Sequence, residues 1–163
     1  MRRLLAVAAL CALAGCSRPA PPTAAGPPTP TPAARSSATA DPFAANTQVV
    51  CTSINGVVKD GAARFASDLG AMVGHLAGGN QPEADKSRRS AHDRLTELGA
   101  KVRSAGAPAA NPVLVSAVGS VASRYDALAA DPAFLAGVQT VGDLPAANQR
   151  VAAATDPLGG VCV

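Results

Sequence analysis

Aromatic side chains are almost absent from this chain, which holds no Trp, one Tyr and three Phe in 163 residues. Proteins that bind single-stranded nucleic acid stack bases on aromatic rings, and nucleic-acid binders in general carry a basic patch or stripe. The formal net charge of +3 supplies no such stripe, because residues 43–163 hold equal numbers of basic and acidic side chains. We therefore exclude nucleic acid as a partner.

Catalytic motifs are also missing from the sequence. There is no Gly-x-Ser-x-Gly nucleophile motif and no pair of carboxylates in a recognisable cleft pattern. The glycine-rich stretch Gly70–Gly79 lacks the lysine and the preceding strand that a phosphate-binding loop requires. We predict that the protein is not an enzyme, and we assign it no cofactor and no metal.

No hydrophobic run is long enough to span a bilayer, which takes about 20 residues. The apolar run Leu4–Leu13 is shorter than that. It follows Arg2 and Arg3 and precedes the small residues Ala14 and Gly15. A charged start, a short apolar core and small residues at a cleavage site are typical of a secretory signal peptide. We predict a signal peptide over residues 1–15.

The four residues Leu13-Ala14-Gly15-Cys16 resemble the lipobox of bacterial lipoproteins. The resemblance implies cleavage before Cys16, a diacylglyceryl thioether on its sulfur, and acylation with palmitate-type chains. It also implies that the protein is anchored by lipid to the cell membrane, on the extracytoplasmic face. The alternative is an ordinary signal peptide with an incidental Cys16. Two acyl chains give stable anchoring, whereas one gives only marginal binding.

The segment that follows Cys16 is dominated by Pro, Ala, Thr and Ser. Such a composition cannot bury a core, so we predict a disordered linker over residues 16–42 that favours extended polyproline II. At about 3.1 Å per residue, residues 17–42 would reach up to about 80 Å. The Thr, Ser and Pro content is also compatible with O-linked sugar, although a bare spacer is the simpler interpretation.

Few cysteines remain after the predicted processing: Cys11 leaves with the signal peptide and Cys16 carries lipid, which leaves Cys51 and Cys162. An exported protein meets an oxidising compartment, so we predict a disulfide between them. The alternatives are two free thiols or a redox pair, which usually has Cys-x-x-Cys spacing.

The rest of the chain, residues 43–163, predicts one helical domain. Apolar residues recur at three- and four-residue steps from Thr47 to Ala77, and Gly78-Gly79 ends that pattern. Three further helices are predicted: one begins at Asn80 or Gln81 with Pro82 and runs to Ala105, one begins at Asn111-Pro112, and the last follows Gly142-Asp143 and runs to Ala154. Asp131-Pro132 starts a short turn between the last two. We predict an all-α, antiparallel up-down four-helix bundle, in which Cys51 and Cys162 lie at the same end.

Two glycines one helical turn apart, Gly70 and Gly74, predict a close approach of a neighbouring backbone. The same Gly-x-x-x-Gly spacing occurs where membrane-spanning helices pair, but polar residues flank it here, so we do not predict a membrane contact.

Residue type suggests three candidate sites. Met72, His75 and Tyr125 would line a pocket for an apolar ligand such as haem. The alternative for Tyr125, which falls on an apolar stripe, is a core ring with its hydroxyl at the surface. A metal site of Asp68, His75 and His92 is conceivable, but it lacks ligands one helical turn apart. The stretch Ser87–Ser90 holds two arginines near a helix start and would suit an anion, although a solvated charged face explains it as well.

These observations lead to two functional hypotheses. The first is a non-enzymatic binding or structural module of the cell envelope, whose partner is another envelope protein or a wall polymer. The second is a carrier whose bundle opens around an apolar small ligand such as haem or a lipid.

Overall fold

The computed structural model describes residues 41–162, so the predicted signal peptide, Cys16 and all but the end of the predicted linker lie outside the described residues. Helices make up this part of the chain, and residues 41–162 contain no strand. In chain order the helices are α1 (Ala44–Ala77), α2 (Gln81–Gly106), α3 (Pro112–Ala130), α4 (Pro132–Ala136) and α5 (Leu144–Ala153). Two 3-10 turns, Val141–Asp143 and Asp156–Leu158, flank α5. The all-α prediction is confirmed.

Three helices begin at the polar residue and proline that the sequence indicated. The side chains of Asn80, Asn111 and Asp131 each accept a hydrogen bond from a backbone N–H in the first turn that follows. Each of these caps precedes a proline at the first or second helical position, where the missing N–H costs nothing. Between α1 and α2 the chain reverses at Gly79, whose φ of +70° favours glycine.

The three long helices fold back on one another. Near the α1–α2 turn, the Asp68 carboxylate lies 3.4 Å from the Arg94 guanidinium. Far from that turn, the Asn46 side chain donates to the Pro108 carbonyl at 3.0 Å and accepts from the Ala110 N–H at 2.8 Å. Arg103 of α2 contacts Asp126 of α3. This packing is consistent with a helical bundle.

The core is built from aliphatic side chains of all five helices, with few aromatic rings. Phe65 of α1 and Phe134 of α4 stack with their ring centroids 6.1 Å apart. This stack joins the short α4 to the longest helix. The largest side chains that are fully enclosed are Tyr125, Phe65, Ile54, Leu69, Met72, Leu95, Leu114, Val102, Val121 and Val151.

The prediction of a close approach at Gly70 and Gly74 is wrong. Both lie on the open side of α1, where an added Cβ would meet no atom within 4 Å. Helices approach closely at other glycines instead: an added Cβ would meet Leu98 at Gly61, Asp126 and the Ala122 carbonyl at Gly99, and Val118 at Gly106. The glycine spacing within one helix does not reveal which face meets a neighbour.

The C-terminal part of the chain is divided into shorter helices than a bundle of four equal helices would contain. Here α4 has 5 residues and α5 has 10, against 34 in α1. The sequence anticipated the start of each piece but not that together they take the place of one long helix. Within residues 41–162, no helix combines the length and apolar character needed to span a membrane.

Candidate functional site

The predicted cysteine pair lies at disulfide-bonding distance. Cys51, on the buried face near the start of α1, and Cys162 have their Cα atoms 5.5 Å apart, and the structure joins their sulfurs. The last turn of the chain places Cys162 there, because the N–H groups of Val161 and Cys162 both donate to the Leu158 carbonyl. The bond therefore connects the C-terminal turn to the start of the first helix.

The predicted ligand pocket is not open in this structure. Met72 and Tyr125 are both fully enclosed in the core, whereas His75 is half-buried near the end of α1. The cavities at the surface of residues 41–162 are lined by side chains other than these three. A ligand would reach these side chains only if the helices separated, so binding there stays a prediction.

Tyr125 is nevertheless chemically unusual among the core residues. Its hydroxyl is buried and has no hydrogen-bond partner among the described residues. Burial disfavours the phenolate and raises the pKa of Tyr125 to about 12. The side chain is therefore a neutral donor that is left unused inside an apolar core.

The residues of the conceivable metal site do not gather around one point. The Asp68 carboxylate faces Arg94, and the exposed His92 lies 3.1 Å from its own neighbour Asp93. Among residues 41–162, no three His, Cys, Asp or Glu side chains are grouped so that they would hold a metal ion.

The arginines of Ser87–Ser90 lie beside a small cavity of about 230 Å³. Arg88, Arg89 and His92 line it on one side and Leu135 on the other. The Arg88 guanidinium already donates to Asp85 at 2.6 Å, which neutralises much of its attraction for an anion. Anion binding at this place stays a prediction.

A larger groove of about 440 Å³, which the sequence did not predict, runs between α1 and α2. Its walls include the apolar side chains of Val57 and Leu98. Its rim carries charges of both signs, contributed by Asp60, Arg64, Arg94, Glu97 and Lys101. A groove with apolar walls and a rim of both charges is better suited to bind the amphipathic surface of a partner than a small ion.

Within that rim the charges neutralise one another. Hydrogen bonds from Lys101 at 2.8 Å and Arg94 at 3.0 Å lower the pKa of Glu97. The bond to Glu97 and the proximity of Asp68 raise the pKa of Arg94 against the opposing effect of partial burial. Glu97 and Arg94 therefore form a charged pair at neutral pH.

A second cavity, of about 460 Å³, lies between α3 and α5 and is lined by Arg124 and Arg150 with several small apolar side chains. Arg124 donates to the Ala153 carbonyl at 2.9 Å, at the end of α5. Arg150 lies 3.3 Å from Asp131, and its guanidinium is 4.5 Å from the Phe134 ring centroid. Both arginines thus hold the C-terminal helices in place. Sequence reasoning missed them, since only the fold brings them together.

Comparison of the chain with protein-family models, with curated protein sequences and with solved structures finds no match.

Proposed function

We propose that this chain is a lipid-anchored protein of the extracytoplasmic face of the cell membrane, where its helical domain is a non-enzymatic binding or structural module of the cell envelope. The observation that carries the proposal is the Cys51–Cys162 pair, held at disulfide distance across 111 residues of sequence. Disulfides persist in exported proteins and are rare in the cytosol. This pair supports export independently of the leader sequence.

The leader and Cys16 supply the anchor in this proposal. Each buried methylene of an acyl chain contributes about 0.8 kcal/mol to membrane binding, so two chains are enough for stable attachment. The proline-rich linker then joins the helical domain to the lipid. The mixed-charge groove between α1 and α2 supports an envelope protein or a wall polymer as the partner.

The proposed arrangement of the domain is an up-down four-helix bundle of α1, α2, α3 and α5. The cross-helix contacts of Asn46 and Arg103 support antiparallel packing of the first three helices. The chain after α5 returns to Cys51 near the start of α1, which supports a fourth helix that runs antiparallel to α1. In this topology the first and last elements meet at one end.

Membrane fractionation of two cysteine variants tests the anchor. Cys16→Ala removes the lipidated sulfur, so the protein should leave the membrane and partition into the aqueous phase of a detergent extraction. Cys11→Ala is the matched control, since it changes a cysteine of the predicted leader and keeps the lipobox. Membrane attachment of Cys16→Ala, or an unmodified Cys16 in an intact mass, would contradict the proposal.

The alternative function is a carrier for an apolar small ligand such as haem or a lipid. The unpartnered hydroxyl of Tyr125 is the observation that favours it, because an opened core would offer this donor, with Met72 and His75 on α1, to a ligand. Haem titration of the wild type should then shift the Soret band, and Tyr125→Phe or His75→Ala should abolish the shift. An unchanged spectrum in the wild type would exclude the haem carrier.

A further inference from the structure

Charged side chains are distributed unevenly in the domain. The two longest stretches without a charged side chain are residues 42–58 and 104–123, and residues 157–162 also lack one, although 21 of the chain's 25 charged side chains lie at or after residue 41. Two shorter uncharged stretches, residues 69–82 and 132–142, lie elsewhere in the sequence. Residues 104–123 run from the end of α2 to the middle of α3 without a single charge. Apart from Asp41, every charged residue of the domain lies between the first and second of the three segments 42–58, 104–123 and 157–162, or between the second and third.

The fold brings the three uncharged segments together. Asn46 of the first segment is hydrogen-bonded to Pro108 and Ala110 of the second. Cys51 of the first is bonded to Cys162 of the third. We call the part of the domain formed by residues 42–58, 104–123 and 157–162 the uncharged end.

The uncharged end also exposes most of the large apolar side chains that face solvent. Val49, Val113 and Val115 are 70%, 60% and 51% exposed. The one other large apolar side chain that is exposed within residues 41–162 is Val141, at 70%, which lies outside these segments and two residues from Asp143. Val141 is therefore a matched reference for the three valines.

The linker joins the domain at this same end. Asp41 accepts a hydrogen bond from the Phe43 N–H at 2.9 Å and leads directly into α1. It lines one surface cavity together with Thr52 and Cys162. Residues 17–40 therefore connect Cys16 to the uncharged end, so the proposed anchor tethers the domain through this end.

We propose that the uncharged end rests on the lipid bilayer surface, with Val49, Val113 and Val115 in contact with the headgroup and upper acyl region. The inference rests on the proposed lipid anchor. Apart from the Asp41 carboxylate where the linker joins, residues 42–58, 104–123 and 157–162 carry no charged side chain and lose no ionic hydration on contact with lipid, while the exposed valines gain by leaving water. The tether confines the domain near the bilayer at an effective concentration on the order of millimolar, so even a weak contact is occupied. The charged part of the bundle, including the charged rim of the α1–α2 groove, stays in water.

Tryptophan quenching in vesicles tests this contact directly, because the natural chain has no Trp. Full-length lipidated Val113→Trp and Val141→Trp proteins are placed in phosphatidylethanolamine–phosphatidylglycerol vesicles that contain brominated lipid. Val113→Trp should be quenched and its emission should shift to shorter wavelength. Val141→Trp, at a position similarly open to solvent, should show neither change.

The outcomes separate the contact from the anchor. If wild-type protein sediments with vesicles but both tryptophan variants stay unquenched, the anchor holds and the contact is overturned. If the Val113→Trp protein escapes quenching by brominated lipid yet is shielded from an aqueous quencher, a second copy or another protein covers this end, and the bilayer contact is overturned. If wild-type protein does not sediment with vesicles, the lipid anchor itself fails.

A charge placed on the uncharged end should undo the contact. In the Val113→Trp protein, Val49→Asp should remove most of the quenching, because a carboxylate beside an anionic bilayer is repelled and loses hydration. Val141→Asp in the same protein should leave the quenching unchanged. Equal loss in both variants would show that the added charge acts on the anchor or the fold, and would overturn the specific role of this surface.

Discussion

The three long helices and the C-terminal segment, residues 131–162, are held in place differently. The long helices pack side by side and share a continuous apolar core. The C-terminal segment consists of short helical pieces, which are marginal alone, and is fixed at separate points: the Phe65–Phe134 stack, the Arg124 contact to α5 and the Cys51–Cys162 bond. Stability is thus distributed in the first region and localised in the second.

The largest test of this difference removes the disulfide. Cys51→Ala together with Cys162→Ala should lower the free energy of unfolding by about 2–4 kcal/mol, because the bond closes a long loop and restricts the unfolded chain. Urea unfolding measures the loss. Hydrogen exchange should accelerate more in α5 than in α2, and equal acceleration in both would contradict localised attachment. Reductant should destabilise the wild type and leave the double variant unchanged.

The second test addresses the core of the long helices through Tyr125. The unfolded tyrosine releases its proton near pH 10 and the folded one near pH 12. Between these values the unfolded state binds fewer protons, so the free energy of unfolding should fall by about 2–3 kcal/mol as pH rises. Tyr125→Phe should lack this fall, while the titration of lysines is common to both proteins.

The chain's single tyrosine makes this measurement specific. Phenolate absorbance of the folded protein should titrate with a midpoint near pH 12 and that of the denatured protein near pH 10. A folded midpoint close to the denatured one would show that solvent reaches the hydroxyl, as the open carrier core would require.

The third test compares two glycine substitutions in the long helices. Gly106→Ala forces its new methyl group against Val118 and should cost about 1–3 kcal/mol. Gly70→Ala meets open space and should stabilise α1 by up to about 1 kcal/mol, since Ala is the better helix former. Thermal unfolding of both variants checks the opposite signs, and destabilisation by Gly70→Ala would place an undetected contact on that face.

The smallest effect is expected at the turn before α5. Asp143 accepts hydrogen bonds from the Thr140 hydroxyl and from the Thr140 and Gln139 N–H groups, and these lower its pKa below the ordinary 3.8. Its stabilisation is therefore present above that value and is lost as pH falls through the lowered folded pKa. Asp143→Asn should weaken protection of α5 at neutral pH and reduce its loss on acidification, as hydrogen exchange would measure. Asp156→Asn should change the protection of α5 little, because the Asp156 carboxylate that it removes is exposed and lies 3.9 Å from Arg124.

The sequence predicted local features of this fold better than contacts between helices. The helix starts at Asn111 and Asp131 were found because each cap is followed directly by its proline, and Asn80 was one of two candidates before Pro82. The cysteine pairing was found because only two cysteines remain after the predicted processing. Neither inference required the relative orientation of the helices.

Features that depend on helix orientation were missed. Gly70 and Gly74 have the spacing of a close contact, yet Gly99 and Gly106 make one, because the direction in which α3 returns decides which face is covered. Arg124 and Arg150 meet one cavity only after α5 packs beside α3. Tyr125 lies in the core, as its apolar stripe predicted, but the prediction that its hydroxyl reaches the surface is wrong, because the neighbouring helices enclose it.

The bond between Cys51 and Cys162 also determines what a protease can release from the cell surface. A single cut of the main chain anywhere between these two cysteines leaves both fragments covalently joined through the sulfurs. Shedding the domain from the proposed anchor therefore requires cleavage before Cys51, and most of that stretch is the predicted linker. A nicked domain would stay attached until a reductant separated the pieces.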